Sequence, residues 1–218
     1  MRARYVVDTN VLIAASAADP QHPKDIDATP TDPALREQVW YWLDQFQQSS
    51  AHLVLDDAGK IFDEYQNKLG FYDFGPQVVQ RKWDMCAVDL VQVNYDADGH
   101  GILPSTLALV HDPADRKMVA AALAAHVLYG EGCVAFAGDT DWHDWEGALH
   151  EQHVLLEPII EAWSRQKHAE KKQRQCRSKF CELSRCDPAR CLRIECRKNW
   201  SKIIPQIKII RGVMGGVY

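Results

Sequence analysis

Short apolar runs alternate with amphipathic segments along most of the chain, and this alternation restricts the fold more than any other feature. The apolar runs are typical of buried strands, predicted at 4–7, 52–55, 88–93, 133–137 and 154–156. The amphipathic segments predict helices at 9–18, 33–48, 56–69, 77–86, 113–126 and 145–150. Strands that alternate with helices indicate a parallel sheet covered on both faces. We therefore predict a three-layer α/β/α sandwich with a central parallel sheet.

Charge divides the chain into two unequal parts. The formal net charge is −5, yet residues 1–163 hold 10 of the 25 Lys and Arg and 26 of the 30 Asp and Glu, a balance of −16. Residues 164–218 carry the remaining charges, a balance of +11. We therefore predict an α/β domain over 1–163 and a basic, Cys-rich, poorly ordered extension over 164–218. The opposite charges favour different partners for the two parts.

The apolar runs are all shorter than the roughly 18 residues of a membrane-spanning helix. The N-terminal run from Tyr5 to Ala15 is interrupted by Asp8 and Asn10, which is atypical of a signal peptide. These features predict a cytoplasmic protein with no membrane partner.

Acidic residues follow the predicted strands at the point where each strand ends. Asp8 ends the first strand, and Asp139 follows the fourth. Glu64 lies two turns into the helix after the second strand, and Asp112 and Asp115 lie at the start of the 113–126 helix. Ligands of parallel sheets bind beyond the carboxyl ends of the strands. We therefore expect these acids to converge at one edge of the sheet.

Carboxylates that lie close together repel one another unless a cation neutralises them. Their hard oxygen atoms favour Mg²⁺ or Mn²⁺. Such ions lower the pKa of a bound water, and a pair about 4 Å apart stabilises both oxygens of a displaced phosphodiester. An Asp in a first helical turn is more often a cap, and Asp56, Asp57 and Asp63 are predicted to cap or solvate their helix. Asp8 is different, because burying an unpaired carboxylate at the end of an apolar strand is unfavourable.

Four segments of the chain resemble the ordered blocks of PIN (PilT N-terminus) domains. They are YVVDTNVLIAA at 5–15, LVLDDAGKIFDEYQNKL at 53–69, HDPADRKMVAAALA at 111–124 and GDTDW at 138–142. Together they cover most of residues 4–157, and each contributes an acid where the family has one.

The resemblance implies a PIN-like fold and a metal-dependent endoribonuclease, often the toxin of a bacterial toxin–antitoxin pair. The site acids that it implies, as catalytic and metal-binding residues, are Asp8, Glu64, Asp115 and Asp139. Further metal ligands would be Asp112 and Asp141, with Thr9 and Asn10 orienting a carboxylate or water by hydrogen bonds. The expected cofactor is Mg²⁺ or Mn²⁺, and the expected partner is RNA. A protein antitoxin and a homodimer are left open.

The chain departs from the family pattern in two places. Ala137 and Gly138 precede Asp139 where the family commonly has Ser or Thr, and the segments 17–35 and 95–107 are longer than in a minimal toxin. These insertions could shape access of the substrate. The rival interpretation is a non-catalytic RNA-binding or protein-interaction module that retains the fold. A haloacid-dehalogenase-type phosphatase is disfavoured, because it needs a second Asp where Asn10 stands.

Trp142 and Trp145 are predicted to lie in the core, with base stacking by either residue as the alternative. In the extension, five cysteines recur at every fifth residue: Cys176, Cys181, Cys186, Cys191 and Cys196. Neither a helix nor a strand aligns this spacing, and zinc ligands usually come in pairs two to four residues apart. A basic extension would attract RNA phosphates without sequence preference or fold back on the acidic domain. Residues 203–210 predict a short edge strand, because Pro205 is excluded from a central one.

Overall fold

The centre of the fold is a five-stranded sheet in which every neighbouring pair is parallel. The computed structural model describes residues 1–18 and 26–184. The strands are β1 (Arg4–Val7), β2 (His52–Asp56), β3 (Val88–Val91), β4 (Gly132–Phe136) and β5 (Val154–Pro158). Their order across the sheet is β3-β2-β1-β4-β5, so that β1 lies in the middle. The predicted α/β class with a central parallel sheet is confirmed.

Helices flank this sheet. They are α1 (Thr9–Ser16), α2 (Pro33–Gln48), α3 (Lys60–Lys68), α4 (Phe74–Asp84), α5 (Pro113–Tyr129), α6 (Trp142–Glu151) and α7 (Glu161–Ser184), with one 3-10 turn at Ser105–Leu107. Helix α5 packs across the strands, whereas α1, α2 and α4 pack on one another. No helix in the described part of the chain is long and apolar enough to cross a membrane.

Helix α5 and strand β4 bury small residues against each other. All five residues of β4 are buried, as are four alanines of α5: Ala120, Ala121, Ala122 and Ala125. A Cβ atom added at Gly132 would lie 1.9 Å from the carbonyl oxygen of Ala122, so the backbones of helix and strand approach closely there. Small side chains on α5 and Gly132 on β4 therefore allow the helix to pack directly on the sheet.

Two helices begin with the same local signature. Helix α2 starts with Asp32 before Pro33, and α5 starts with Asp112 before Pro113. In each case the Asp carboxylate accepts a hydrogen bond from the second residue of the helix, at 2.9 Å in α2 and 2.8 Å in α5. Proline suits the first helical position because its missing N–H would have no partner there. Helix α5 ends at Gly130, whose φ of 77° favours glycine.

The structure corrects several predicted boundaries. Helix α3 begins at Lys60 rather than at residue 56, because Asp56 is the last residue of β2. The Asp56 carboxylate accepts hydrogen bonds from the backbone amides of Lys60 and Ile61 at 2.9 and 2.8 Å, and thus caps the helix as predicted. Strand β3 ends at Val91, and α6 already begins at Trp142.

The C-terminal part of the chain also differs from its prediction. Helix α7 continues to Ser184, so that the first third of the supposedly poorly ordered extension is helical. The chain forms two compact units, Met1–Glu170 and Lys171–Tyr218. The charge boundary at residues 163–164 therefore lies inside α7. Cys176 is exposed, whereas Cys186, Cys191, Cys196 and the predicted strand 203–210 lie outside the described residues.

Candidate metal centre

Asp8 lies at the carboxyl end of the central strand and caps the helix that follows. Its side chain is 3% exposed. One carboxylate oxygen accepts a hydrogen bond from the backbone amide of Asn10 at 3.2 Å, and the other accepts one from Trp142 Nε1 at 3.3 Å. The apolar strand forces this carboxylate into the interior, and two donors from different elements fix its orientation there.

Asp115 lies in the first turn of α5 and is 8% exposed. Its Oδ2 atom is buried and has no hydrogen-bond partner within the described residues. A buried carboxylate oxygen without a donor is unfavourable by about 1–3 kcal/mol or more. Such an atom is therefore a strong candidate for a ligand that binds from outside the chain.

Glu64 approaches the same place from α3. Its Oε1 atom accepts a hydrogen bond from Thr9 Oγ1 at 2.5 Å, and its Oε2 atom pairs with Lys117 Nζ. Thr9 is the first residue of α1 and Lys117 lies in α5. Three helices thus converge on Glu64, and the hydroxyl of Thr9 orients its carboxylate.

Asp139 and Asp141 lie in the loop between β4 and α6, Asp112 precedes α5, and Asn10 belongs to α1. Asp139 is partly exposed, and its Oδ1 atom accepts a hydrogen bond from the backbone amide of Asp141 at 2.8 Å. The carboxylate of Asp112 accepts the cap hydrogen bond of α5 from Ala114. Asn10 contacts Asp8 through its backbone amide.

Four of these acids interact electrostatically with one another. Burial raises the pKa of Asp8 to about 7; the amide of Asn10 opposes this rise, and the negative charges of Asp139 and Glu64 add to it. Burial likewise raises the pKa of Asp115 to about 9, with further contributions from Asp8 and Asp139. Each carboxylate disfavours ionisation of the others, so full ionisation of the cluster would leave negative charge that its own surroundings do not neutralise. We call Asp8, Glu64, Asp115 and Asp139 the four-acid cluster.

Three residues that the sequence analysis did not select support this cluster. Lys117 neutralises one oxygen of Glu64, and Trp142 donates to Asp8. Tyr65 is buried and donates its hydroxyl hydrogen to the carbonyl of Val7 at 2.5 Å. Base stacking by Trp142 or Trp145 is excluded, because their side chains are 0% and 1% exposed. Proximity in sequence could have indicated two of them, because Lys117 lies two residues after Asp115 and Trp142 lies three residues after Asp139.

The long insertions of the chain pack directly beside the cluster. A Cβ atom added at Gly138 would lie 2.4 Å from the carbonyl oxygen of Thr29, so only glycine fits between β4 and this part of the first insertion. In the second insertion, a Cβ atom at Gly101 would lie 2.8 Å from the backbone of Lys117. Gly138, where the resemblance led us to expect Ser or Thr, is thus required by the close approach of Thr29.

A second group of ligand-type side chains lies on the exposed loop before the 3-10 turn. Oxygen or nitrogen atoms of Asp96, Asp98 and His100 all lie within 4.8 Å of one another, a distance that the four-acid cluster does not meet among the described residues. One oxygen of Asp96 already accepts the backbone amides of Asp98 and His100 at 3.0 and 2.8 Å. Asp96 thus stabilises the turn that contains Asp98 and His100.

The four-acid cluster draws its carboxylates from four separate elements: the end of β1, α3, α5 and the loop after β4. Carboxylate oxygens are the ligand type that hard divalent ions prefer. Comparison of the chain with protein-family models, with curated proteins and with solved structures finds no significant match.

Proposed function

We propose that this chain is a metal-dependent endoribonuclease of PIN-like fold, and that the four-acid cluster binds Mg²⁺ or Mn²⁺. The observation that carries the proposal is the Oδ2 atom of Asp115, which is buried and lacks a hydrogen-bond partner among the described residues. It belongs to a carboxylate whose pKa is raised by burial and by Asp8 and Asp139. A divalent cation would satisfy this oxygen and neutralise the repulsion at once.

The donor set fits such an ion. Asp8, Asp115 and Asp139 offer only carboxylate oxygens, which Mg²⁺ and Mn²⁺ prefer over nitrogen and sulfur. Asp112 and Asp141 lie within three residues of cluster acids and would contribute directly or through water. When bound, the ion would supply a water of lowered pKa and would stabilise negative charge on a phosphodiester.

The chain's own residues position the reacting groups. Asp8 is fixed by Asn10 and Trp142, so that its carboxylate keeps one orientation. Glu64 pairs with Lys117 through one oxygen and is oriented by Thr9 through the other, so its carboxylate keeps one orientation. Preorganised carboxylates of this kind reduce the reorganisation that a reaction requires.

RNA as the substrate rests on the resemblance of the four segments to PIN domains. The same resemblance favours a toxin that a protein antitoxin neutralises. The 15 basic residues of 164–218 would raise the affinity for any polyanion and thus support a nucleic-acid substrate over a small molecule.

The test is cleavage of a circular single-stranded RNA, which only an endonuclease can open. The wild-type protein should linearise it with Mg²⁺ or Mn²⁺ and not with EDTA. Substitution of any cluster acid, for example Asp8→Asn, should abolish cleavage and leave the fold intact. Asp32→Asn is the matched control, because this exposed residue caps α2 and asparagine caps a helix equally well. An Asp8→Asn protein that cuts at the wild-type rate would refute the site.

One observation favours the rival function, a non-catalytic RNA-binding or protein-interaction module. Lys117 already provides a positive charge at Glu64, as a metal ion would. If this cation replaces the metal, the wild-type protein should bind RNA without cutting it, and Mg²⁺ should not change its melting temperature. Metal-dependent cleavage would exclude this rival.

A further inference from the structure

An open groove with a volume of about 440 Å³ lies beside Glu64. One side is formed by α3, with Lys60, Asn67 and Lys68. The first turns of α5 close it at Lys117, and Gly99 of the second insertion forms the far wall. The groove therefore reaches the four-acid cluster at Glu64.

The lysines of this groove are a concentration of positive charge in an acidic domain. Residues 1–163 contain only 10 Lys and Arg, and three of these ten line the groove. Several of the others have structural partners: Arg4 pairs with Asp89, and Arg36 donates to the carbonyls of Ala28 and Pro30. The lining also contains two acids, Asp63 and Glu64, so its three lysines leave a balance of +1 in a domain whose balance is −16. This local excess of positive charge favours a polyanion at the groove over the rest of the acidic domain.

The lining indicates which part of a nucleic acid it would contact. None of the described residues that line the groove is aromatic, so this lining offers bases no stacking surface. Ammonium groups and the amide of Asn67 are instead suited to phosphate oxygens and sugar hydroxyls. Contacts of this kind position a strand without reading its sequence.

Lys60 is held in place before any ligand arrives. Its Nζ atom lies 4.9 Å from the ring centroid of Tyr95. A Cβ atom added at Gly99 would lie 3.0 Å from the same Nζ atom, so Gly99 also lies close to the lysine. Tyr95 is fixed in turn, because its hydroxyl donates to Asp56 at 2.7 Å. A lysine restrained by such contacts loses less side-chain entropy when it binds a phosphate.

We propose that this groove binds the phosphates next to the scissile one in the RNA strand, through Lys60 and Lys68. Lys117 marks the junction, where the strand passes from the groove to the four-acid cluster. The proposal rests on the proposed function for the identity of the substrate. It adds the path of the strand and a sequence-independent mode of contact.

The test measures binding rather than cleavage. The full chain binds a labelled single-stranded RNA in EDTA, and the dissociation constant is followed by fluorescence anisotropy over a range of salt concentrations. Each lost phosphate contact lowers the slope of log K against log[salt] by about 0.7 for a single strand. Lys60→Ala/Lys68→Ala should therefore reduce the slope by about 1.4. It should also weaken binding by about tenfold at low salt, equally for RNAs of different sequence.

Arg81→Ala is the matched control, because Arg81 is an exposed basic residue of α4 that does not line the groove. The basic residues of 164–218 contribute the same background to all proteins compared. A slope for the double variant equal to that of Arg81→Ala, with an unchanged melting temperature, would overturn the proposal. Cleavage of circular RNA combined with an unchanged slope would refute the groove alone. A reduced slope without any cleavage would refute the nuclease and retain the groove.

Discussion

Replacing Asp8 by Asn should stabilise the metal-free protein at pH 8, although it removes a residue of the proposed site. Burial and the neighbouring acids raise the pKa of Asp8 from 3.8 to about 7. The folded protein thus binds this proton more tightly than the unfolded chain does. The stability that this tighter proton binding adds to the folded state is complete below pH 3.8 and is lost as the pH rises through about 7.

The magnitude follows from the size of the pKa change. A rise from 3.8 to about 7 corresponds to about 4 kcal/mol of lost stability once Asp8 is ionised. Asn removes that charge, but its amide leaves either Asn10 or Trp142 without an acceptor, which costs about 1 kcal/mol. The expected net gain is about 3 kcal/mol, or a melting temperature about 6–12 °C higher for a chain of this size.

Thermal and urea unfolding in EDTA at pH 5 and pH 8 would measure this gain. The wild-type protein should lose stability between the two pH values, and Asp8→Asn should lose less. Mg²⁺ at pH 8 should raise the melting temperature of the wild type, because an ion that binds only the folded state stabilises it. Asp32→Asn should follow the wild type throughout. An Asp8→Asn protein no more stable than the wild type at pH 8 would refute the electrostatic reasoning.

Two further substitutions test other contacts of the cluster. Gly138→Ser should destabilise the fold by about 1–3 kcal/mol in urea unfolding, because its Cβ would lie 2.4 Å from the carbonyl oxygen of Thr29; wild-type stability would show that residues 26–30 move aside freely. Lys117→Met should tighten Mg²⁺ binding by about three- to tenfold, because Lys117 and the ion compete for the carboxylate of Glu64. A melting-temperature titration with Mg²⁺ measures this change. Unchanged or weaker binding would show that Lys117 supports the ion instead.

Local signals in the sequence predicted much of the fold. Two kinds of signal were local: the apolar strand before Asp8, and the Asp-Pro pairs that begin α2 and α5. Each depends on residues adjacent in sequence, so the sequence alone predicts the element that it forms. The boundary of α3 was wrong because the end of β2 and the cap of the helix share one residue, Asp56. A pattern along the chain does not separate these two roles.

Helix α7 was not predicted from the sequence. Residues 164–184 have no apolar stripe, and their positive charge suggested an extension without order. Yet the segment from Glu161 to Ser184 contains no Gly or Pro and is rich in Lys, Arg, Gln and Glu, which have high helix propensity. Propensity rather than amphipathicity indicated the helix here.

The candidate site was predictable in its acids and not in its neighbours. Position at strand ends selected Asp8 and Asp139 from the sequence, and the resemblance to PIN domains added Glu64 and Asp115. The contact of Lys117 with Glu64 joins residues 53 positions apart, and that of Trp142 with Asp8 joins residues 134 positions apart. Such contacts depend on the order of the strands and on helix packing, which periodicity does not specify.

The central place of β1 has a consequence during synthesis of the chain. Strand β1 pairs with β4, so that Val6 lies opposite Val134. Asp139, which follows β4, joins the other three acids only after these distant residues have met. A nascent chain that ends before Gly132 carries Asp8, Glu64 and Asp115 without the strand that brings the fourth acid to them. The proposed nuclease would therefore stay inactive on the ribosome, surrounded by RNA, until most of its domain had emerged.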